Sequence, residues 1–444
     1  MVTARSQYED PTAVYDGAVE GISHDGRGVV RADGKAVFVD GVLPGERVRF
    51  RRTRRRRSSD VAELLEIHDA SPFRVQPRCS YFGVCGGCAL QHLEYSAQVQ
   101  TKQDMVLETL RRVGRVTPEN VLPPLSTEPW GYRRKARLGV RFVPKKGGVL
   151  VGFREKRSSY VTPISTCDVL HPRVATLLPE LQRLIAGLNA AQRIPQVEVA
   201  VGDNAVALVL RHLVELDEHD TPVLLKFAQD HTVQLHLQPC GLDSVYCLWP
   251  NQAPPLYYRV KDQSIKIEFR PTDFIQINGV LNEQLVNQAV ALVEPQSGET
   301  VLDLFCGLGN FSLPLAKSDV AVLGVEGDAG LVARAQHNAR INGQSNVRFI
   351  QSDLYAEKFH GQWFRCRYDK VLLDPPRSGA MEVVKLMTVL RPGRMVYISC
   401  NPATLARDSE VIVHKHGYVL QHVGIVDMFP HTHHAECIAV FEAT

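Results

Sequence analysis

From about residue 271 onward, short apolar runs alternate with helical stretches, and that rhythm leaves few choices of fold. Strands separated by helices build a parallel sheet covered on both faces. The runs predict strands at 300–305, 320–326, 347–350, 369–374 and 394–399, with a final pair at 418–427 and 437–442. An α/β, Rossmann-like domain is therefore expected over 271–444. In such open sheets, ligands bind beyond the carboxyl ends of the strands.

The chain ahead of this domain reads differently. Residues 12–68 break into about five short strands punctuated by glycine, as in VYDGAVEGIS, GRGVVRADGKAVFVDGVLPGERVRFR and SDVAELLEIH, which fits a small β-barrel. The phrase GRGVVR…GKAVFVDGVLPGERV resembles the TRAM domain, an OB-like RNA-binding module, with expected bounds 10–68. Residues 72–270 read as an α+β middle domain. In it, a helix from about Tyr95 to Val113 and another near 172–190 accompany strands such as KARLGVRFV, VLVGFRE and AVALVLRHL.

The first strand of the α/β domain runs into TVLDLFCGLGNFS, Thr300 to Ser312. Gly307 and Gly309 let the chain turn sharply into a helix and let a ligand approach the backbone. The next strand ends in Glu326, whose carboxylate can hold both hydroxyls of a ribose. Asp353, after the third strand, falls near an adenine edge. This arrangement serves NAD and S-adenosylmethionine alike, and G-x-G-x-x-G is absent. D-x-F-C-G-x-G resembles the first motif of class I methyltransferases.

Two further strand ends carry chemistry. VLLDPPRSG puts Asp374 at one, and D-P-P-R resembles the D-P-P-Y type motif of enzymes that methylate exocyclic amines. VYISCNP puts Cys400 at the next. An amine needs no covalent help, whereas carbon 5 of uracil is a poor nucleophile. A thiolate adding to carbon 6 turns the ring into an enolate whose carbon 5 attacks a methyl donor. Cys306, in the cofactor turn, reads as a packing residue, and Cys240, Cys247, Cys366 and Cys437 carry no motif.

Charge and cysteine usage bear on partners. RRTRRRR at 51–57 places six arginines in seven positions, and 133–157 holds ten Lys/Arg against one acid, Glu155. Two such clusters suit a polyanion, since phosphate contacts release condensed counterions. The N-terminus MVTARSQYEDP has no apolar core and no run reaches a membrane span, so a cytoplasmic protein without a membrane partner is expected. CSYFGVCGGC spaces Cys79, Cys85 and Cys88 as C-x5-C-x2-C, with Cys167 as the natural fourth ligand. Structural zinc sites use two close pairs, whereas three clustered thiols and a distant one fit an iron–sulfur cluster better. His431, His433 and His434 lie close together, but a strand follows at once and no H-E-x-x-H helix exists.

Taken together, DLFCGLGNFS, LLDPPRSG, ISCNPATLARD and HTHHAECIAVF resemble the RNA uracil-5-methyltransferases over nearly the whole chain. The resemblance implies that Gln276 (in FIQIN), Phe305, Asn310, Glu326, Asp353 and Asp374 contact S-adenosylmethionine or shape its pocket. It implies Cys400 as nucleophile and Glu436 as base. It implies a [4Fe–4S] cluster on Cys79, Cys85, Cys88 and Cys167. A TRAM domain together with four cysteines looks like the subgroup acting on 23S ribosomal RNA, and a monomer is expected. The competing readings are an amino-group methyltransferase, which leaves Cys400 and Glu436 unexplained, and an RNA-binding scaffold with an inactive methyltransferase fold.

Overall fold

The computed structural model describes residues 13–23 and 25–444. MVTARSQYEDP and residues 10–12 of the expected barrel lie outside the described residues. The chain divides into two compact units. One comprises the segment ending at Gln98 together with His431–His433, and the other comprises Val99–Pro430 and His434–Thr444.

In the first unit, five strands close into a barrel: Val14–Ile22, Gly28–Ala32, Lys35–Val39, Arg47–Arg55 and Ser59–Asp69. Alternate side chains point inward, so Val30, Val37, Val39, Val48 and Phe50 form a sealed core. Closure leaves the sheet no unpaired edge. The barrel is locked from below by Glu46, a fully buried carboxylate that accepts from the Leu43 amide at 2.8 Å, the Ser71 amide at 3.1 Å and Arg74 Nε at 2.6 Å. Tight turns follow through the cysteine-rich segment. The Ala89 and Leu90 amides donate to the His431 carbonyl at 2.8 and 2.9 Å.

The second unit contains two larger sheets. A seven-stranded sheet runs from Tyr246–Trp249 at one edge to Val161–Pro163 at the other, with Leu178–Ala186 and Asp220–Asp230 as its helices. The eight-stranded sheet has the order Val347–Gln351, Ala321–Glu326, Thr300–Leu304, Lys370–Leu373, Arg394–Ser399, Glu436–Ala443, Tyr418–Val426, Asn120–Val121. Its first five strands are parallel, and Glu436–Ala443 enters antiparallel. Burial on both faces explains why these strands read as nearly continuous apolar runs: every residue of Arg394–Ser399 is buried. The sequence reading did not anticipate Asn120–Val121, because two residues carry no periodicity. The connection order reverses beside Thr300–Leu304, and such a switch point opens a crevice at the strand ends.

A hairpin, Leu256–Val260 with Ile265–Phe269, docks on the helix Ala329–Ile341. The Lys266 and Glu268 amides donate to Asn342 Oδ1 and Asn338 Oδ1, both at 2.9 Å. The segment after it, Phe274–Gln276, thereby reaches the crevice.

Candidate active site

At the strand ends lies a cavity of about 520 Å³. Gln276, Phe305, Asn310, Glu326, Asp353, Asp374, Cys400 and Glu436 all line it. The fold thus brings together every residue of the second unit singled out from sequence, apart from the distant Cys167.

One side is built by the glycine turn. The strand Thr300–Leu304 ends in Phe305, a non-glycine residue held at φ 65°, and Gly307 and Gly309 follow at φ 53° and 88°. A left-handed Phe persists only where its surroundings dictate it, and here its amide is pinned to the Val325 carbonyl at 2.9 Å. Glu326 closes the turn. Its carboxylate accepts from the amides of Gly307 at 3.1 Å, Gly327 at 2.7 Å and Asp328 at 3.0 Å. Asn310 is also engaged: Tyr258 Oη donates to its Oδ1 at 2.9 Å, and it exchanges amide hydrogen bonds with Asn282 at 3.0 and 3.1 Å. Asp353 Oδ1 accepts the Tyr355 amide at 2.9 Å.

The other side is built by three strand ends. The ladder ends with Ser399 paired to Cys437, so the next residue outward on each side, Cys400 and Glu436, lies at that end of the sheet, and both line the cavity. Asn401 ties this end to the Asp374 loop. Its Oδ1 accepts from the Ala403 amide at 3.2 Å, capping the helix Pro402–His414, while its Nδ2 donates to the Arg377 carbonyl at 2.9 Å. Thr404 Oγ1 donates to the same carbonyl at 3.3 Å. The asparagine after Cys400 and the D-P-P-R loop are therefore parts of one brace.

Charge is handled differently on this side. Burial pushes the Asp374 carboxyl up to about 7. Burial, then the neighbouring Asp374 and Asp427, push Glu436 up to about 8 against the pull of Lys102. Glu436 Oε2 is buried without a hydrogen-bond partner among the described residues. Burial and the charges of Glu436 and Asp374 raise the Cys400 thiol to about 11, while Arg377 favours its thiolate. A thiol and a carboxyl lining one pocket can serve as nucleophile and base toward a reacting ring. Cys306 is buried, and burial raises its thiol, as a packing role requires.

Sequence reasoning passed over several lining residues. Arg377 and His434 stand in quoted motifs, and Arg377 approaches His434 at 3.3 Å. Tyr258 and Phe429 carry no local signal. Of the cysteine set, Cys79, Cys85 and Cys88 belong to the first unit and Cys167 to the second. All four are of intermediate burial. The Gly87 amide donates to Cys85 Sγ at 3.4 Å.

A doubly wound sheet with this turn, an acid at the second strand end and reactive groups at the fourth and fifth defines a class I methyltransferase domain. Residues 254–444 match the tRNA (Uracil-5-)-methyltransferase family, and residues 15–73 match the tRNA (uracil(54)-C(5))-methyltransferase TRAM domain. The chain is 52% identical over 429 residues to the 23S rRNA (uracil(1939)-C(5))-methyltransferase RlmD of Nitrosococcus oceani, covering 96% of each chain. It is 48% identical to the protein of the same name from Xanthomonas axonopodis pv. citri, covering 99% of each. It is also similar to the crystal structure of Pyrococcus abyssi tRNA (uracil-54, C5)-methyltransferase in complex with S-adenosyl-L-homocysteine. The TM-score is 0.73 at 23% identity, over 96% of this chain and all of that one, a likeness of fold. The chain belongs to the S-adenosylmethionine-dependent RNA uracil-5-methyltransferases and carries their TRAM domain.

Proposed function

We propose that this chain methylates C5 of a uridine in 23S ribosomal RNA, the one for which its relatives are named, through a covalent bond between Cys400 and C6. The observation that carries the reading is that Cys400 and Glu436, which adjoin the last ladder pair Ser399–Cys437, line one cavity with the glycine turn and Glu326. S-adenosylmethionine supplies an electrophilic methyl group at its sulfonium. Glu326 and Asp353 hold the ribose and adenine, and Gln276, Phe305, Asn310 and Asp374 shape the rest of that site. Cys400 Sγ adds to C6, and the electron pair displaced onto C5 takes the methyl group. Glu436 then removes the C5 proton. The pair left behind re-forms the C5–C6 double bond and the Sγ–C6 bond breaks.

This order is tested with Glu436→Gln. The variant should add to the RNA and methylate it, then stall as a Cys400–RNA adduct. General bases contribute about 10²–10⁴-fold, so the adduct should outlast ordinary turnover by a wide margin. Denaturing gels with labelled RNA should show a slow band carrying the methyl group. Normal multiple turnover without that band would assign the base to another residue.

The proposal also assigns Cys79, Cys85, Cys88 and Cys167 to a [4Fe–4S] cluster. The donor set supports it: four cysteines, one of whose sulfurs already receives an amide N–H as cluster sulfurs do. The cluster would brace the fold and take no part in methyl transfer. Protein purified without air should be brown with about four irons per chain, and Cys88→Ser should lose iron and soluble yield together. Stoichiometric zinc would overturn the assignment. No helix among the described residues is long and apolar enough to cross a membrane. We place the enzyme in the cytoplasm with its RNA, acting as a monomer.

A further inference from the structure

Behind the cavity wall lies a buried ion pair that the reaction above does not use. Lys102 sits on the helix Tyr95–Thr109, and its side chain is 2% exposed. Its Nζ lies 2.5 Å from Asp427 Oδ1 and donates to the Phe429 carbonyl at 3.0 Å. Asp427 is fully buried, and its Oδ2 has no hydrogen-bond partner among the described residues. Its amide donates to the Leu125 carbonyl at 2.9 Å. Phe429 and Glu436 both line the cavity. Burial holds the Lys102 ammonium below the ordinary lysine value, against the pull of Asp427 and then Glu436.

The surroundings of Glu436 make this pair more than a brace. The charges acting on it are Asp374 from the fourth strand end, Asp427 from the sixth, and Lys102 from the helix. On the fifth strand end stands Cys400, a thiol that answers to Arg377. Two carboxylates therefore push protons onto Glu436 and one ammonium opposes them. A buried charge acts at close range through a medium that screens it weakly.

We propose that Lys102 is a positioning residue for methyl transfer: with Asp427 and the Phe429 carbonyl it fixes the wall beside Glu436 and keeps that carboxylate free to take the C5 proton. The inference rests on Glu436 being the base. Neither Lys102 nor Asp427 lines the cavity, so their effect reaches the reaction through Glu436. Removing its charge leaves Asp427 uncompensated and favours the protonated Glu436. Removing the Asp427 charge does the reverse.

The test follows adduct breakdown in a single turnover by rapid quenching and denaturing gels, across a pH series, in the full-length protein. Breakdown in the parent enzyme rises with pH as Glu436 loses its proton. In Lys102→Met this limb should move up by about one pH unit, slowing breakdown roughly tenfold below the limb. In Asp427→Asn it should move down. The double variant Lys102→Met/Asp427→Asn removes the pair as a neutral unit, and its limb should return close to that of the parent. S-adenosylmethionine affinity should stay within about twofold, since neither member of the pair lines the cavity. A structural role alone would slow every step or shift neither limb, and a limb unmoved in Asp427→Asn would overturn the proposal even if Lys102→Met fails to fold. Should Glu436→Gln turn over normally, the reading of the base fails instead, and the two failures are told apart.

Discussion

Glu326 and Glu436 stand in one cavity and meet opposite fates. Glu326 receives three backbone N–H groups at 2.7–3.1 Å, so the fold itself stabilises its charge. Glu436 is buried beside two other carboxyls, with one oxygen lacking a partner among the described residues. A carboxylate held by three donors serves as a fixed acceptor for ligand hydroxyls. One buried with an oxygen left unpartnered sits near its protonation point and can move a proton. The two sides of the site thus divide binding from chemistry by how completely each charge is satisfied.

The largest test of that division is at Cys400. Cys400→Ala should abolish turnover and adduct, while leaving S-adenosylmethionine affinity within about twofold, because the thiol makes the enolate and contributes little to cofactor binding. Equilibrium binding of the cofactor and a labelled-methyl assay check both halves. Residual multiple turnover would move the enzyme to the amino-methylating class. Next comes Glu326→Gln. Hydrogen bonds to a charged group are worth about 1.5–3 kcal/mol, so cofactor affinity should fall roughly tenfold or more. Turnover at saturating cofactor should fall much less. A variant that binds normally but cannot react would erase the contrast between the two acids.

The dry side also leaves a mark on stability. Burial first of all pushes Asp303, Asp374 and Glu436 up to about 7, about 7 and about 8, from ordinary values of 3.8, 3.8 and 4.5. The native state therefore holds more protons than the unfolded chain between those limits, and stability falls as pH rises through that window. The thermal midpoint of the ligand-free protein should drop by a few degrees from about pH 6 to about pH 9. Glu436→Gln, which cannot ionise, should flatten that slope. A parent midpoint independent of pH would mean these carboxyls are better solvated than their burial implies.

Much of this was legible in the sequence, and the reason is local. The strands are continuous apolar runs, and the groups at their ends follow within a residue or two, so Glu326, Asp374 and Cys400 could be placed by counting. What escaped depends on contacts far apart in the chain. Lys102 and Asp427 are separated by 325 positions, and only the folded sheet brings a helix lysine behind Glu436. Tyr258 reaches Asn310 because a hairpin docks on a helix. None of Lys102, Asp427 and Tyr258 stands in a motif.

The arginine run applies the same contrast to the barrel, and it is where the smallest effect is expected. Read as sequence, its six arginines look equivalent. In the barrel they are not. Arg51 Nη2 donates to Glu63 at 2.7 Å, across the register of Arg47–Arg55 with Ser59–Asp69. Arg52 pairs with Asp33 at 2.5 Å, stacks over Tyr15 at 4.2 Å, and has a side chain 5% exposed beside the buried Asp60. Arg54, Arg56 and Arg57 are exposed. The first pair is satisfied by the fold and the last three are available to phosphate. Replacing these three by Ala should weaken RNA binding and lower the slope of log affinity against log salt by up to about 2–3, since each phosphate contact contributes roughly 0.7–0.9. Barrel stability should hardly change, exposed substitutions being worth about ±0.5 kcal/mol. Arg52→Ala should do the opposite, lowering the unfolding midpoint by stranding Asp60 while leaving the salt slope nearly in place. Salt titrations of binding and thermal melts of both variants separate the two classes. An unchanged slope in the triple variant would return the run to a solvated strand end, and RNA contact would then fall to the cluster at 133–157.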